Sequence, residues 1–103
     1  MDALFDVIIL TWDNIELTKE CYNRITQYAE LPIRVIFVDN GSTDGTIDWL
    51  LYLQATKKNV KVILNSTNQG YAHSVNQAMS ASSSKYILLL NNDVIWNFPW
   101  GKD

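Results

Sequence analysis

The sequence predicts an α/β domain in which helices cover both faces of a mostly parallel sheet, giving three layers. Four short apolar runs rich in branched residues are continuous rather than alternating, which indicates strands buried on both faces. The three segments between these runs repeat apolar residues at helical spacing. The predicted order is therefore β-α-β-α-β-α-β, and right-handed crossovers place the carboxyl ends of the strands at one edge of the sheet.

The strands are predicted from the apolar runs alone, because each run is too short to form a helix by itself. Their predicted bounds are Asp6–Thr11, Ile33–Asp39, Val60–Leu64 and Lys85–Leu90.

The helices are predicted from apolar stripes. The first is expected over Asn14–Ala29, the second begins after Ser42 or Thr43, and the third runs from about Tyr71 to Ser80. Their stripes are Leu17, Cys21, Ile25 and Tyr28 in the first, Ile47, Leu50, Leu51 and Gln54 in the second, and Ala72, Val75 and Met79 in the third. Asp13 is expected to cap the first helix, with Glu16 three residues later completing a capping box.

Composition narrows the class of protein. The 103 residues are 48% apolar and carry a net charge of −3, which is typical of one globular domain and argues against a surface built to bind nucleic acid. Cys21 is the single cysteine, so no internal disulfide can form, and we expect it to be a buried small hydrophobe. No secretory signal or membrane span is evident, so a cytoplasmic location is predicted, with membrane association of the full-length protein left open.

Small polar and acidic residues follow every predicted strand. Because ligands of open parallel sheets bind outside the carboxyl ends of the strands, these segments are the predicted site. They are Thr11–Asn14, Asp39–Thr46, Asn65–Gly70 and Asn91–Asp93.

Taken singly, each of these segments has two interpretations. The glycine-containing turn after Asp39 is neither a Walker loop, since it lacks the lysine, nor a dinucleotide fingerprint. Asp39 either forms a plain turn with a helix cap or accepts hydrogen bonds from a base or ribose. Asn91–Asp93 is either a turn or a site for a hard divalent cation. His73 has no partner nearby in sequence and is interpreted as an ordinary surface histidine.

Read together, the segments resemble the inverting family 2 glycosyltransferases of GT-A fold, most closely their rhamnosyltransferase-like branch. The matching stretches are Val7–Asn14, Val38–Thr46, Asn68–Ala72 with Asn76, and Leu88–Val94. They occur in the family's order across nearly the whole chain. The resemblance implies that residues 1–103 form the Rossmann-like nucleotide-sugar-binding part of a GT-A domain, which we expect to be truncated.

The resemblance also implies roles for individual residues. Nucleotide contacts would come from Thr11, Trp12, Asp39, Asn40, Asn68, Gly70, Asn91 and Asn92. Asp93 matches the last acid of the family's DXD motif and would hold a Mn or Mg ion that bridges the diphosphate of a UDP- or dTDP-linked sugar. Two positions depart from the family pattern: Asp13 replaces the usual Asn, and Asn91 replaces the first Asp of the motif.

The implied reaction is transfer of a sugar, with inversion, to a hydroxyl acceptor in polysaccharide or glycoconjugate synthesis. The family's general base would lie beyond Asp103, so we expect no catalytic residue in this chain and no activity of the chain alone. The alternative is a non-catalytic nucleotide-binding or assembly module with the same fold. Trp96, Phe98 and Trp100 are predicted to form an apolar patch through which a homodimer could assemble.

Overall fold

A computed structural model describes residues 5–29 and 32–91 of the chain. Strands and helices alternate along it as β1 Phe5–Thr11, α1 Ile15–Tyr28, β2 Ile33–Asn40, α2 Thr46–Thr56, β3 Val60–Asn65, α3 Tyr71–Ala81 and β4 Tyr86–Asn91. The predicted order is confirmed, and each strand lies within one residue of its predicted bounds. The second helix begins later than predicted, at Thr46.

The aromatic patch predicted from Trp96, Phe98 and Trp100 lies outside the described residues. Within residues 5–29 and 32–91, the helices are too short or too polar for any of them to cross a membrane.

The four strands form one parallel sheet in the order β3-β2-β1-β4. Their register places Thr11 beside Asp39, and Asn40 beside Asn65. All four strands therefore end at the same edge, which we call the carboxyl edge. The opposite edge, where the strands begin, is called the amino edge.

Different helices cover the two faces of the sheet. Successive strand residues point to opposite faces, so the continuous apolar runs supply both cores. The first core combines Val7, Ile9, Val35 and Phe37 with Cys21 and Ile25 of α1 and Leu50 and Leu53 of α2. The second combines Ile8, Leu10, Ile36 and Val38 with Ala78 of α3. The three-layer α/β/α arrangement is confirmed, and so is the burial of Cys21.

The buried faces of the helices differ from the predicted stripes. Leu17, Leu51 and Met79 are exposed, whereas Tyr22, Leu53 and Ala78 are buried in α1, α2 and α3 respectively. Ser74 is also buried in α3, and its hydroxyl group is hydrogen-bonded to Asn40 of the sheet. The spacing of apolar residues could not predict the burial of Ser74, because serine is polar. The side chain of Tyr28 lies outside the described part of the chain.

A buried carboxylate closes the amino edge. Asp6 accepts two hydrogen bonds from Arg34, at 3.0 Å from Nε and 2.9 Å from Nη2. It also accepts from the hydroxyl groups of Ser82 and Ser84 in the α3–β4 connection. Burial by itself raises the pKa of Asp6, but the bonds from Arg34, Ser82 and Ser84 outweigh burial and lower the pKa to about 2. The ionised carboxylate therefore fastens the α3–β4 connection to β1 and β2.

We expect this carboxylate to make stability depend on pH in the acid range. The pKa of Asp6 is lower in the folded chain than its ordinary value of 3.8, so its contribution is present above that value and is lost as the pH falls towards 2. Asp6→Asn should lower the free energy of unfolding by about 2 kcal/mol at pH 7 and by almost nothing near pH 2. Urea unfolding between pH 7 and pH 2 measures this difference. Asp48→Asn, at an exposed aspartate of α2, is the control; a constant Asp6→Asn deficit across the range would contradict the assignment.

Candidate functional site

Within the described residues, three loops leave the carboxyl edge of the sheet. They are the β1–α1 loop (residues 12–14), the β2–α2 loop (41–45) and the β3–α3 loop (66–70). The strand residues just before them are polar, and Thr11, Asp39 and Asn40 are buried. Buried polar groups require hydrogen-bond partners, and the partners of these three residues join the strands and loops at this edge.

The carboxylate of Asp39 organises the β2–α2 loop. Its Oδ1 accepts from the Thr11 hydroxyl at 2.8 Å and from the Ser42 hydroxyl. Its Oδ2 accepts from the backbone amides of Gly41, at 3.1 Å, and Ser42, at 2.9 Å. Asp39 has no exposed surface, and Thr11 is almost completely buried. The four bonds join the end of β1 to the first turn of the loop after β2.

The amide of Asn40 organises the opposite face of the same edge. The Ser74 hydroxyl lies 2.9 Å from Asn40 Nδ2 and 3.1 Å from its Oδ1, so it both accepts from and donates to this amide. Asn65, at the end of β3, donates to Asn40 Oδ1 at 3.0 Å. The backbone amide of Gln69 also approaches this oxygen, at 3.5 Å. Asn40 thus connects β2 with β3, α3 and the β3–α3 loop.

The β1–α1 and β2–α2 loops are tied by two reciprocal bonds. Asp13 Oδ1 accepts from the amide of Thr43 at 2.7 Å, and Asp44 Oδ2 accepts from the amide of Ile15 at 3.0 Å. The predicted capping box of Asp13 and Glu16 is therefore wrong, since Asp44 of the neighbouring loop receives the first-turn amide of α1. Asp13 and Asn14 both have positive φ, 57° and 59°, and this turns the Asp13 carboxylate towards the neighbouring loop.

The pKa of Asp44 is lowered from its ordinary value of 3.8, chiefly by the hydrogen bond from the Thr46 hydroxyl and further by the backbone amides of Ile15 and Thr46. This exposed carboxylate links α1 to α2, and the hydrogen bonds that it accepts favour its ionised form.

Gly41 allows the β2–α2 and β3–α3 loops to approach each other. Its φ is +88°, and a β-carbon at this position would lie 2.9 Å from the carbonyl oxygen of Ser66 and 3.2 Å from Thr67 Cα. Both contacts are with backbone atoms, which cannot rotate away. The close contact of these two loops therefore requires glycine at position 41.

The exposed residues of the edge form a second group. Trp12 and Tyr71 are each 59% exposed, and Asn68 and Gly70 are also open to solvent. Asn68 Oδ1 accepts from the amide of Gly70 at 2.8 Å, which closes a turn just before α3. A ligand that reaches the edge from solvent would meet these residues first.

The structure thus divides the predicted nucleotide contacts into two layers. Trp12, Asn68 and Gly70 are exposed, whereas Thr11, Asp39 and Asn40 lie behind them and bond to other parts of the chain. The side chain of Asn91, and all of Asn92 and Asp93, lie outside the described residues, so their assigned roles stay predictions. Within residues 5–29 and 32–91, no group of three or more His, Cys, Asp or Glu side chains could hold a metal ion.

Two residues of the edge were not selected from the sequence. Ser74 and Gln77 belong to α3, where helical spacing alone gave no reason to select them. Asn65 belongs to the predicted segment Asn65–Gly70, and the register of β2 and β3 places it directly beside Asn40.

Open α/β proteins bind their ligands outside the carboxyl ends of the strands, and the polar side chains described above lie at that edge of this parallel sheet. The family model for Glycosyl transferase family 2 matches residues 6–102. The chain belongs to this family, and the family predicted from its motifs is confirmed. The rhamnosyltransferase-like branch remains a prediction.

Curated relatives agree with the family. An uncharacterized glycosyltransferase of Haemophilus influenzae is 27% identical over 97 residues, which make up 94% of this chain and 30% of that protein. Glycosyltransferase AglE of Haloferax volcanii is 27% identical over 96 residues, 91% of this chain and 32% of AglE. The chain therefore spans about a third of the length of these relatives.

Solved structures share the fold. The mannosyltransferase PcManGT of Pyrobaculum calidifontis, in complex with GDP-Man and Mn2+, superposes with a TM-score of 0.80 at 23% identity over 93% of this chain and 29% of its own. Residues 1–349 of S. aureus TarS, in complex with UDP-GlcNAc, give a TM-score of 0.74 at 26% identity over 86% of this chain and 26% of that one. The GT-A fold predicted from the sequence is thus confirmed.

Proposed function

We propose that this chain is the nucleotide-diphosphate-sugar-binding part of an inverting glycosyltransferase. The enzyme would transfer a sugar from a nucleotide donor to a hydroxyl acceptor in polysaccharide or glycoconjugate synthesis. The observation that carries the proposal is the two-layered carboxyl edge, in which buried Asp39 and Asn40 hold the loops that present Trp12 and Asn68 to solvent. The ligands of PcManGT and TarS support a nucleotide sugar as the ligand of this edge.

The charge of the edge supports a divalent cation. The three loops contain Asp13 and Asp44 and no lysine or arginine. A diphosphate is an anion, so we expect a positive ion to neutralise it here. Asp93 is the proposed carboxylate ligand, and the Mn2+ in PcManGT supports this choice of ion. When bound, the cation would stabilise the negative charge that builds on the leaving diphosphate.

The remaining chemistry follows from the geometry of an inverting transfer. The acceptor hydroxyl attacks the anomeric carbon on the face opposite the diphosphate, the bond to the diphosphate breaks in the same step, and the hydroxyl proton passes to the general base of the enzyme. The role proposed for this chain is to orient the donor: Trp12 offers an aromatic face to the base, and Asn68 offers an amide to the ribose or phosphate. We assign no general base to its residues and expect the 103-residue chain to bind donors without transferring sugar.

Calorimetric titration of UDP, dTDP and GDP into the 103-residue chain tests this proposal. With Mn2+ present, we expect at least one of them to bind with a Kd of about 1 mM or tighter. Replacing Mn2+ with EDTA should weaken that binding about tenfold or more, because the diphosphate then meets an acidic edge with no cation. Asp93→Asn should bind no more tightly with Mn2+ than wild type does with EDTA.

The corresponding nucleoside without phosphates is the control ligand, and it should bind with equal affinity in Mn2+ and in EDTA. Absence of heat with all three diphosphates at millimolar concentration would contradict the proposed function. Equal affinities in Mn2+ and in EDTA would contradict the proposed role of the cation but not the proposed nucleotide binding.

A further inference from the structure

A pair of side-chain amides, Asn65 and Gln77, is joined to the side chain of Asn40. Asn65 Nδ2 donates to Gln77 Oε1 at 2.8 Å, and Gln77 Nε2 donates back to Asn65 Oδ1 at 2.9 Å. This exchange holds the Asn65 side chain against α3. The same nitrogen donates to Asn40 Oδ1 at 3.0 Å. Gln77 of α3 therefore holds the side chain that donates to Asn40 at the end of β2.

Asn40 connects the Asn65–Gln77 pair with the β3–α3 loop. Its Oδ1, held by Asn65 and Ser74, is the oxygen that the Gln69 amide approaches at 3.5 Å. Bonds within the loop include the one from the Gly70 amide to Asn68 and the one from the Gln69 side chain to the Thr67 hydroxyl. The Asn40 amide is thus a point where the loop is attached to the sheet. Asn68, the exposed amide of the proposed site, lies next to this attachment.

We propose that Asn65 and Gln77 are positioning residues for the nucleotide site. Gln77 holds Asn65, Asn65 donates to Asn40, and Asn40 in turn holds the β3–α3 loop that presents Asn68 and Gly70. This inference rests on the proposed function, because it assigns the loop to nucleotide binding. Neither residue belongs to the motifs that carried the family resemblance, and neither would need to touch the ligand.

The test compares two glutamines that each join a helix to β3. Gln77→Ala removes the amide pair at the carboxyl edge. Gln54→Ala removes a bond of similar kind, in which Gln54 Oε1 accepts from the Val62 amide at 2.7 Å, on a helix that covers the other face. Both variants lose a helix-to-strand interaction, but only Gln77→Ala releases Asn65. Gln77→Glu, which keeps the acceptor and removes the donor, is a second variant of the same position.

Three measurements are made on each variant: the Kd for whichever of UDP, dTDP and GDP binds wild type most tightly with Mn2+, hydrogen exchange of the Gln69 amide, and the urea midpoint. We expect Gln77→Ala to weaken nucleotide binding about fivefold and to speed Gln69 exchange about tenfold. Gln77→Glu should also weaken nucleotide binding and speed Gln69 exchange. Gln54→Ala should change the Kd and the Gln69 exchange rate by less than twofold, whatever its urea midpoint. Asn65→Ala combined with Gln77→Ala should weaken binding no more than either change alone, since the pair acts as a unit.

Unchanged Gln69 exchange in Gln77→Ala would overturn the inference, and so would an equal loss of affinity in Gln54→Ala. The proposed function fails separately, if wild type binds none of the three nucleotides. In that case the exchange measurement still decides whether Gln77 holds the β3–α3 loop.

Discussion

Asp39→Ala is expected to abolish measurable nucleotide binding and to lower the free energy of unfolding by about 3 kcal/mol. The carboxylate accepts four hydrogen bonds, from two hydroxyl groups and two backbone amides. Alanine would leave these donors buried without an acceptor, and the turn that begins the β2–α2 loop would lose its anchor. Calorimetric titration and urea unfolding measure the two effects.

The matched control is Asp48→Ala, which removes an exposed aspartate of α2 and should leave affinity unchanged. Asp39→Asn separates two roles of the carboxylate. The family resemblance implies direct contact with the base or ribose, but Asp39 has no exposed surface and its oxygens are bonded to Thr11 and to the loop. If Asn restores stability and affinity together, Asp39 acts by holding the loop. If it restores stability alone, the carboxylate contacts the ligand. Unchanged affinity in Asp39→Ala would contradict both roles.

Gly41→Ala is the second substitution for which we expect a large effect. Alanine at φ +88° is strained, and its β-carbon would lie 2.9 Å from the Ser66 carbonyl oxygen. Gly45→Ala is the matched control, because Gly45 has a φ of +98° but its β-carbon would meet only Ile15 Cδ1, at 3.8 Å. In both variants, backbone strain should lower the free energy of unfolding by about 1 kcal/mol. The excess loss in Gly41→Ala, about 2 kcal/mol, is the cost of separating the two loops.

We expect Gly41→Ala to lose more than tenfold in nucleotide affinity, since the β3–α3 loop must move away from the β2–α2 loop. Gly45→Ala should lose less than threefold. Urea midpoints and calorimetric titrations of the two variants provide both comparisons. Equal behaviour of the two alanine variants would show that the contact between Gly41 and Ser66 has no part in the site.

Much of the fold was predictable because its strands are buried on both faces. A continuous run such as Val35–Val38 has few alternatives to a strand in a covered parallel sheet. The helix faces were less predictable. In α3 the buried position Ser74 is polar, and its burial depends on Asn40, which lies 34 residues earlier in the chain. Apolar spacing carries no information about a partner of that kind.

The gathering of polar strand-end residues at one edge was also predictable, since parallel strands bring their carboxyl ends together. The layering within it was not. Asp39 and Asn68 are both small polar residues next to a strand or helix terminus, yet the first is buried and the second exposed. The cap of α1 was mispredicted for a similar reason. Asp13 and Asp44 exchange backbone partners between two loops about 30 residues apart, and local sequence shows only that each could cap its own helix.

The central claim is that the carboxyl edge binds a nucleoside diphosphate. Amide chemical shifts recorded during a titration of UDP, dTDP or GDP with Mg2+ test it most directly. The account predicts that shifts concentrate in loops 12–14, 41–45 and 66–70 and at residues 91–93, with the amino-edge residues 57–59 and 82–85 unchanged. Shifts centred on the amino edge, or no shifts at millimolar nucleotide, would contradict it.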